Sequence, residues 1–299
     1  MESQGNPAYT TSGPRHPYLG ICQGEHPSIY KQGSTCGVRI GHNPKIHSSS
    51  QPIPSIYIYI YIYIFTRSNQ NDQPLRLPPP LFRRLRTTQF TREHLLTTYH
   101  DLESTQQTAT PDLPYSDLLS AIHPTLAARL GLNPPTEKES REFGNSVGTW
   151  PAFPDTVDAL RRLSRHYKLV VLSNVDRASF AKSNAGSLQG VSFDMILTAQ
   201  DIGSYKPDPR NFEYMLSAVQ REFGVGSEQV LQTAQSQFHD HQPARKVGIK
   251  SVWIERRGAL MGNTGEPIFD WRFETLGEMA DAVERHSTPA VGPPASIIL

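Results

Sequence analysis

From Asp155 to His286 the chain alternates short apolar runs with stretches of helical periodicity, in single file. "DTVDALRRLSRHY" reads as a helix, "KLVVLSN" as a strand, "RASFAKSNAG" as a helix and "FDMILTAQD" as a strand. "DPRNFEYMLSAVQREFG" follows as a helix, "EQVLQTAQS" as a strand, "HQPARKVG" as a short helix, "KSVWIER" as a strand and "TLGEMADAVERH" as a closing helix. Strands joined one after another through helices require a parallel sheet with right-handed crossovers, so the expected fold class is α/β.

Upstream the rhythm differs. "FTREHLLTTYHDLES" sets Leu95, Leu96, Tyr99 and Leu102 on one helical face, with Thr91 as N-cap. "YSDLLSAIHPTLAARLGL" repeats the pattern, with Pro124 expected to kink or divide it and Gly131 to stop it. "PTEKESREFGNSVG" is a third, weaker helix. Three helices without an intervening strand indicate a helical subdomain over 81–150, ahead of an α/β core over 151–285 and a flexible tail over 286–299.

Residues 1–80 look unlike the rest. They are rich in Gly, Pro, Ser, His and Asn and show neither apolar period, the composition of a disordered segment. Inside them "PSIYIYIYIYIFTRSNQ" alternates Tyr and Ile, a β-prone pattern. Because TAT encodes Tyr and ATA encodes Ile, a TA repeat writes the same text, so the segment also fits translated non-coding DNA.

In an open parallel sheet, ligands bind beyond the carboxyl ends of the strands. After "KLVVL" come Ser173 and Asn174; after "FDMILTAQDIGSY" comes Lys206; after "EQVLQTA" come Gln235, Ser236, Gln237 and Asp240. Ser173, Lys206 and Asp240 are spaced at intervals of about 33 residues, roughly one βαβ step of 30 or more. The three clusters therefore belong to one rim. Taken singly, Ser173-Asn174 can end a strand, Lys206 can be a solvated loop lysine, and Asp240 can cap the helix that follows. Together they point to an anion-handling site. His239 and His241 flank Asp240, a spacing that suits a metal only on an extended segment.

Lys and Arg number 29 against 28 Asp and Glu, which gives no reason to expect a nucleic acid or an anionic membrane as partner. The longest apolar run, Ile56 to Phe65, is too short to span a bilayer as a helix. Two cysteines, Cys22 and Cys36, make no disulfide framework. A cytoplasmic protein acting on a small molecule is the expectation; oligomeric state is not legible.

"LVVLSNVDRASF", "GSYKPDPRNF" and "AQSQFHDHQPARKVGIKSVWIERRG" resemble the second, third and fourth motifs of the haloacid dehalogenase superfamily. The branch they resemble is that of type II 2-haloacid dehalogenase-like hydrolases of the fungal kind. The likeness runs from Leu81 to Arg285. It implies a Rossmann-like core with an inserted helical cap, and hydrolysis of a 2-haloacid or phosphate ester through an aspartyl ester. By that resemblance Ser173 and Asn174 would grip the substrate's anionic group and Lys206 would neutralise charge. Asp240, with Ser236, would orient the lysine or activate water. Around Asp240 stand glutamine and serine rather than the paired acids of the Mg²⁺-dependent phosphatases, so no cofactor is expected, with Mg²⁺ as the alternative.

The family's first motif, a strand followed by Asp-x-x-Gly-Thr, has no counterpart here. Its place is held by the Tyr-Ile repeat, which is followed by Phe65, Thr66 and Arg67; Asp72 has no strand leading into it. The expectation is a first strand without its nucleophile, hence an impaired hydrolase, or alternatively a non-catalytic binder of small anions.

Overall fold

The structure, a computed structural model, describes residues 57–60 and 90–287 apart from 258, 260 and 264. The expected disordered segment (apart from 57–60) and the tail beyond 287 lie outside the described residues, as do both cysteines.

Six strands form one wholly parallel sheet: β1 (Tyr57–Ile60), β2 (Leu169–Ser173), β3 (Met195–Thr198), β4 (Val230–Ala234), β5 (Lys250–Ile254) and β6 (Trp271–Phe273). Their order is β3-β2-β1-β4-β5-β6. The Tyr-Ile repeat thus supplies a central strand, with Tyr59 opposite Val170 of β2 and Ile60 opposite Thr233 of β4. The order reverses at β1, and the crevice for a ligand opens where neighbouring strands run on to opposite sides.

β2 and β4 are buried along their whole length, as strands covered on both faces must be. Val170 and Leu172 face α7 (Pro209–Phe223) through Phe212, Met215 and Val219. Leu169 faces α4 (Thr156–Leu163) and α9 (Leu276–Ser287) through Leu160, Leu163 and Met279. Period-two alternation in the strands thus meets period-3.6 stripes on the helices, giving a three-layer core.

Ahead of the core lie α1 (Arg92–Ala109), α2 (Tyr115–Arg129) and α3 (Glu137–Asn145). Thr91 caps α1 by accepting from His94 N, and Thr136 with Glu139 forms a capping box on α3. Leu95, Leu96, Tyr99, Leu102, Leu118, Leu119, Leu126 and Phe143 bury into one cluster that reaches the core through Ala199, Tyr205 and Met261.

Three expectations about elements need correction. Pro124 does not divide α2, which runs unbroken through it. It lies on the exposed side, where water can replace the missing hydrogen bond. "AQD" is not strand: Thr198, the last residue of β3, caps the four-residue α6 (Ala199–Ile202) in a box with Asp201. No strand is expected at β6, yet Phe269 to Phe273 alternates aromatic and charged residues as a strand does.

Candidate functional site

Asn174 and Lys206 are locked to each other. Asn174 Nδ2 donates to the Lys206 carbonyl at 2.9 Å, and Lys206 N donates to Asn174 Oδ1 at 2.7 Å. This two-way clamp joins the end of β2 to the loop after α6. It leaves the Asn174 side chain occupied in holding backbone, whereas the sequence suggested that it grips substrate.

Held this way, the Lys206 side chain lies with no solvent exposure. Its Nζ donates to the Leu172 carbonyl at 2.7 Å and to Asp240 Oδ1 at 2.8 Å. Burial pushes the Lys206 ammonium below its usual value and the Asp240 carboxyl above its own, while their direct contact opposes both shifts. The Ser173 hydroxyl, one residue beyond Leu172, takes part in no hydrogen bond among the described residues. Residues spread over the sequence from 173 to 240 therefore meet at the carboxyl ends of β2 and β4.

Asp240 is carried by a π-helical turn, Gln237–His241, leading into the short α8 (Gln242–Lys246). It does not cap α8, as its position allowed: the N-cap of α8 is His241, with no side-chain capping bond, while Ser236 caps the π-helical turn by accepting from His239 N at 3.2 Å. Ser236 Oγ also lies 3.0 Å from His239 Nδ1, so its hydroxyl serves His239 rather than Lys206 or Asp240. Burial, with His100 and Lys206 nearby, holds His239 well below the usual histidine range.

Sequence reasoning missed Gln232. Within buried β4 its Nε2 donates to Asp240 Oδ1 at 3.0 Å, so that oxygen takes both Lys206 and Gln232. Asp240 Oδ2 and Gln232 Oε1 have no hydrogen-bond partner among the described residues. The available signal was a glutamine interrupting an apolar strand. Also missed was the α1 side of the site. His100 Nδ1 lies 3.6 Å from buried Glu103, and its ring meets those of Phe238 and His239 edge-on, with centroids 6.3 and 5.6 Å away. The Glu103 carboxylate beside it raises His100 above its ordinary value, against the effect of burial.

A cavity of about 300 Å³ opens between α1 and the Lys206 loop, lined by Ser104, Gln107, Thr108, Tyr205, Lys206 and Phe238 among others. A larger one, about 520 Å³, lies beside β5 and β6 around Gln237, Trp253 and Arg256, and neither Lys206 nor Asp240 lines it. Of the candidate residues, Lys206 lines the smaller.

Among the described residues no group of three His, Cys, Asp or Glu side chains converges to hold a metal ion. Of Asp240's two oxygens, Oδ1 is taken by the Lys206 ammonium. Among the described residues no helix is long and apolar enough to cross a membrane.

A parallel sheet whose strand order reverses at its central strand, with a buried lysine-aspartate pair at the strand ends and a helical block preceding it in the chain, is a Rossmann-like α/β core. The model of the haloacid dehalogenase-like hydrolase family matches residues 101–254, slightly more than half of the chain. The chain belongs to that family. It is 27% identical over 147 residues to the (S)-2-haloacid dehalogenase H-109 of Pseudomonas putida, covering 48% of this chain and 62% of that one. It is 28% identical over 108 residues to the phosphoserine phosphatase of Thermus thermophilus, covering 36% and 42%. The chain thus spans less than two thirds of these relatives. In fold it resembles the L-2-haloacid dehalogenase of Xanthobacter autotrophicus solved with chloropropionic acid covalently bound. The TM-score is 0.59 at 16% identity, covering 77% of this chain and 98% of that one.

Proposed function

We propose that this chain binds a small carboxylate or phosphate at the crevice beside Lys206, and that covalent hydrolysis is impaired because its first strand leads to no carboxylate. The carrying observation is Lys206 Nζ, fully buried between the Leu172 carbonyl and Asp240. A lysine fixed there supplies positive charge that an incoming anion meets without reorganisation. In this reading Asp240 holds the lysine, with Oδ2 left to accept a proton from water. Asn174 positions the lysine's backbone, the Ser173 hydroxyl contacts the anion, and Ser236 orients His239. The helices of 92–145 act as the cap.

The haloacid and phosphate classes come from the relatives' names, and the covalent chloropropionic acid of the Xanthobacter protein shows what its crevice accommodates. A covalent route needs an attacking oxygen. In this sequence no Asp or Glu stands between Glu25 and Asp72, the stretch that contains β1.

The test compares the chain with variants carrying a single aspartate after β1: Tyr61→Asp, Ile62→Asp, Tyr63→Asp and Ile64→Asp. Calorimetry with inorganic phosphate and 2-chloropropionate reads binding; chloride release, and phosphate release from phosphomonoesters, read turnover. The expected result is binding without turnover by the parent, turnover by one variant, and loss of binding on Lys206→Met. Product formation by the parent would overturn the impairment. Binding without turnover in every variant would favour the non-catalytic binder.

A further inference from the structure

The cavity between α1 and Lys206 has a wall on the α1 side that the anion site does not explain. Ser104 and Gln107 stand at i and i+3, on one face of α1, and both line it. Gln107 is only 6% exposed, yet its carboxamide makes no hydrogen bond among the described residues. Ser104 Oγ is buried and likewise has no partner among them. Their neighbours differ: Thr108 Oγ1 donates to the Ser104 carbonyl at 2.9 Å, and Gln106 Nε2 to Thr110 Oγ1 at 3.0 Å. Two uncommitted polar side chains thus line one cavity, whereas the other unbonded buried groups of α1, His100 Nδ1 and Glu103 Oε2, lie 3.6 Å from each other.

A buried hydroxyl left without a partner, as Ser104 Oγ is, is costly, and proteins rarely keep one without reason. An apolar haloalkanoate tail would leave both unsatisfied. A ligand with hydroxyls would satisfy both, with Ser104 and Gln107 able to donate and to accept. Phe238 and Tyr205 offer apolar faces for the carbons between those hydroxyls, and about 300 Å³ suits a small ligand.

From this wall we infer that the ligand is a hydroxylated small anion, a polyol phosphate or polyhydroxy carboxylate, whose hydroxyls are read by Ser104 and Gln107 while Lys206 takes its charge. This rests on the anion-site reading above and names its substrate class. Discrimination follows from the polar wall, because sites built to hydrogen-bond a hydroxyl reject analogues that lack it.

The experiment uses pairs matched in shape: glycerol 3-phosphate against 2-methylbutyl phosphate, and glycerate against 2-methylbutyrate, with inorganic phosphate as reference. Calorimetry on the full chain is expected to show at least tenfold tighter binding of one hydroxylated member than of its apolar mate. Gln107→Leu and Ser104→Ala are expected to erase that ratio while inorganic phosphate binds as before. Neither removes a hydrogen bond seen among the described residues, and retained phosphate binding reports that each variant is folded. If inorganic phosphate binds but neither pair is discriminated, or the ratio survives both substitutions, the inference fails and the anion site stands. If nothing binds, both fail.

Discussion

Replacing Lys206 by methionine removes the cation that, among the described residues, contacts Asp240, and keeps nearly the same length of side chain. Asp240 has no solvent exposure and would retain only Gln232 Nε2 on its Oδ1. The Leu172 carbonyl would lose its 2.7 Å donor as well. Breaking a buried pair from one side costs about 3–5 kcal/mol, because an uncompensated charge remains. We expect Lys206→Met to lose about 4 kcal/mol at pH 7.5, or about 8–16 °C in Tm for a domain of this size. The pH dependence has a definite sign. Burial already raises Asp240 above its ordinary value, and without the ammonium it rises further. A carboxyl raised in the folded state is harmless below its unfolded value and costs stability as pH climbs through the folded one. The loss should therefore be small near pH 4.5 and complete by pH 7.5, read from urea unfolding at each pH with the slope unchanged. The double variant Lys206→Met/Asp240→Leu, with neither charge, should recover at least half of the loss. A single variant within about 1 kcal/mol of the parent at pH 7.5, or an equal loss at both pH values, would refute the reasoning.

Asp176 caps α5 (Arg177–Ala185) through Ser179 N at 2.8 Å and reaches α2 through Ser116 N at 3.0 Å. Burial alone would raise it, but these bonds hold it below the usual carboxylate range. Asp176→Ala should cost about 2–3 kcal/mol at neutral pH in urea unfolding, shrinking as pH falls through that lowered value. Phe143 is fully buried in the helical block, its ring stacked on His123 at 4.7 Å. Phe143→Ala should cost about 3–5 kcal/mol by the same assay, and a loss under about 1 kcal/mol would mean that the block collapses around the gap.

The βα alternation was legible because a doubly covered strand and an amphipathic helix write different periods, and the chain obeys both from Thr156 onward. The meeting of Ser173, Lys206 and Asp240 was legible because one crossover takes a nearly fixed length, so equal spacing brings strand ends to one rim. The partners of each side chain were not. Asn174 and Ser236 are of the types that bind anions, yet their groups are taken by Lys206 backbone and His239, as only tertiary geometry decides. Periodicity identified the apolar face of α1 but not that Ser104, Gln107 and His100 look toward the strand ends. Pro124 and "AQD" misled because propensity yields to context: burial of Leu118, Leu119, Ile122 and Leu126 carries α2 through a proline that costs a helix about 3 kcal/mol, and Thr198 with Asp201 starts a new helix.

The paired bonds between Asn174 and the Lys206 peptide have a kinetic meaning. They weld the neighbouring loops into a single stiff ledge, so the ammonium has no swing by which to follow a guest or retreat from it. If an anion binds there as proposed, the wall facing the ledge is α1, whose side chains can change without touching the Asn174–Lys206 bonds.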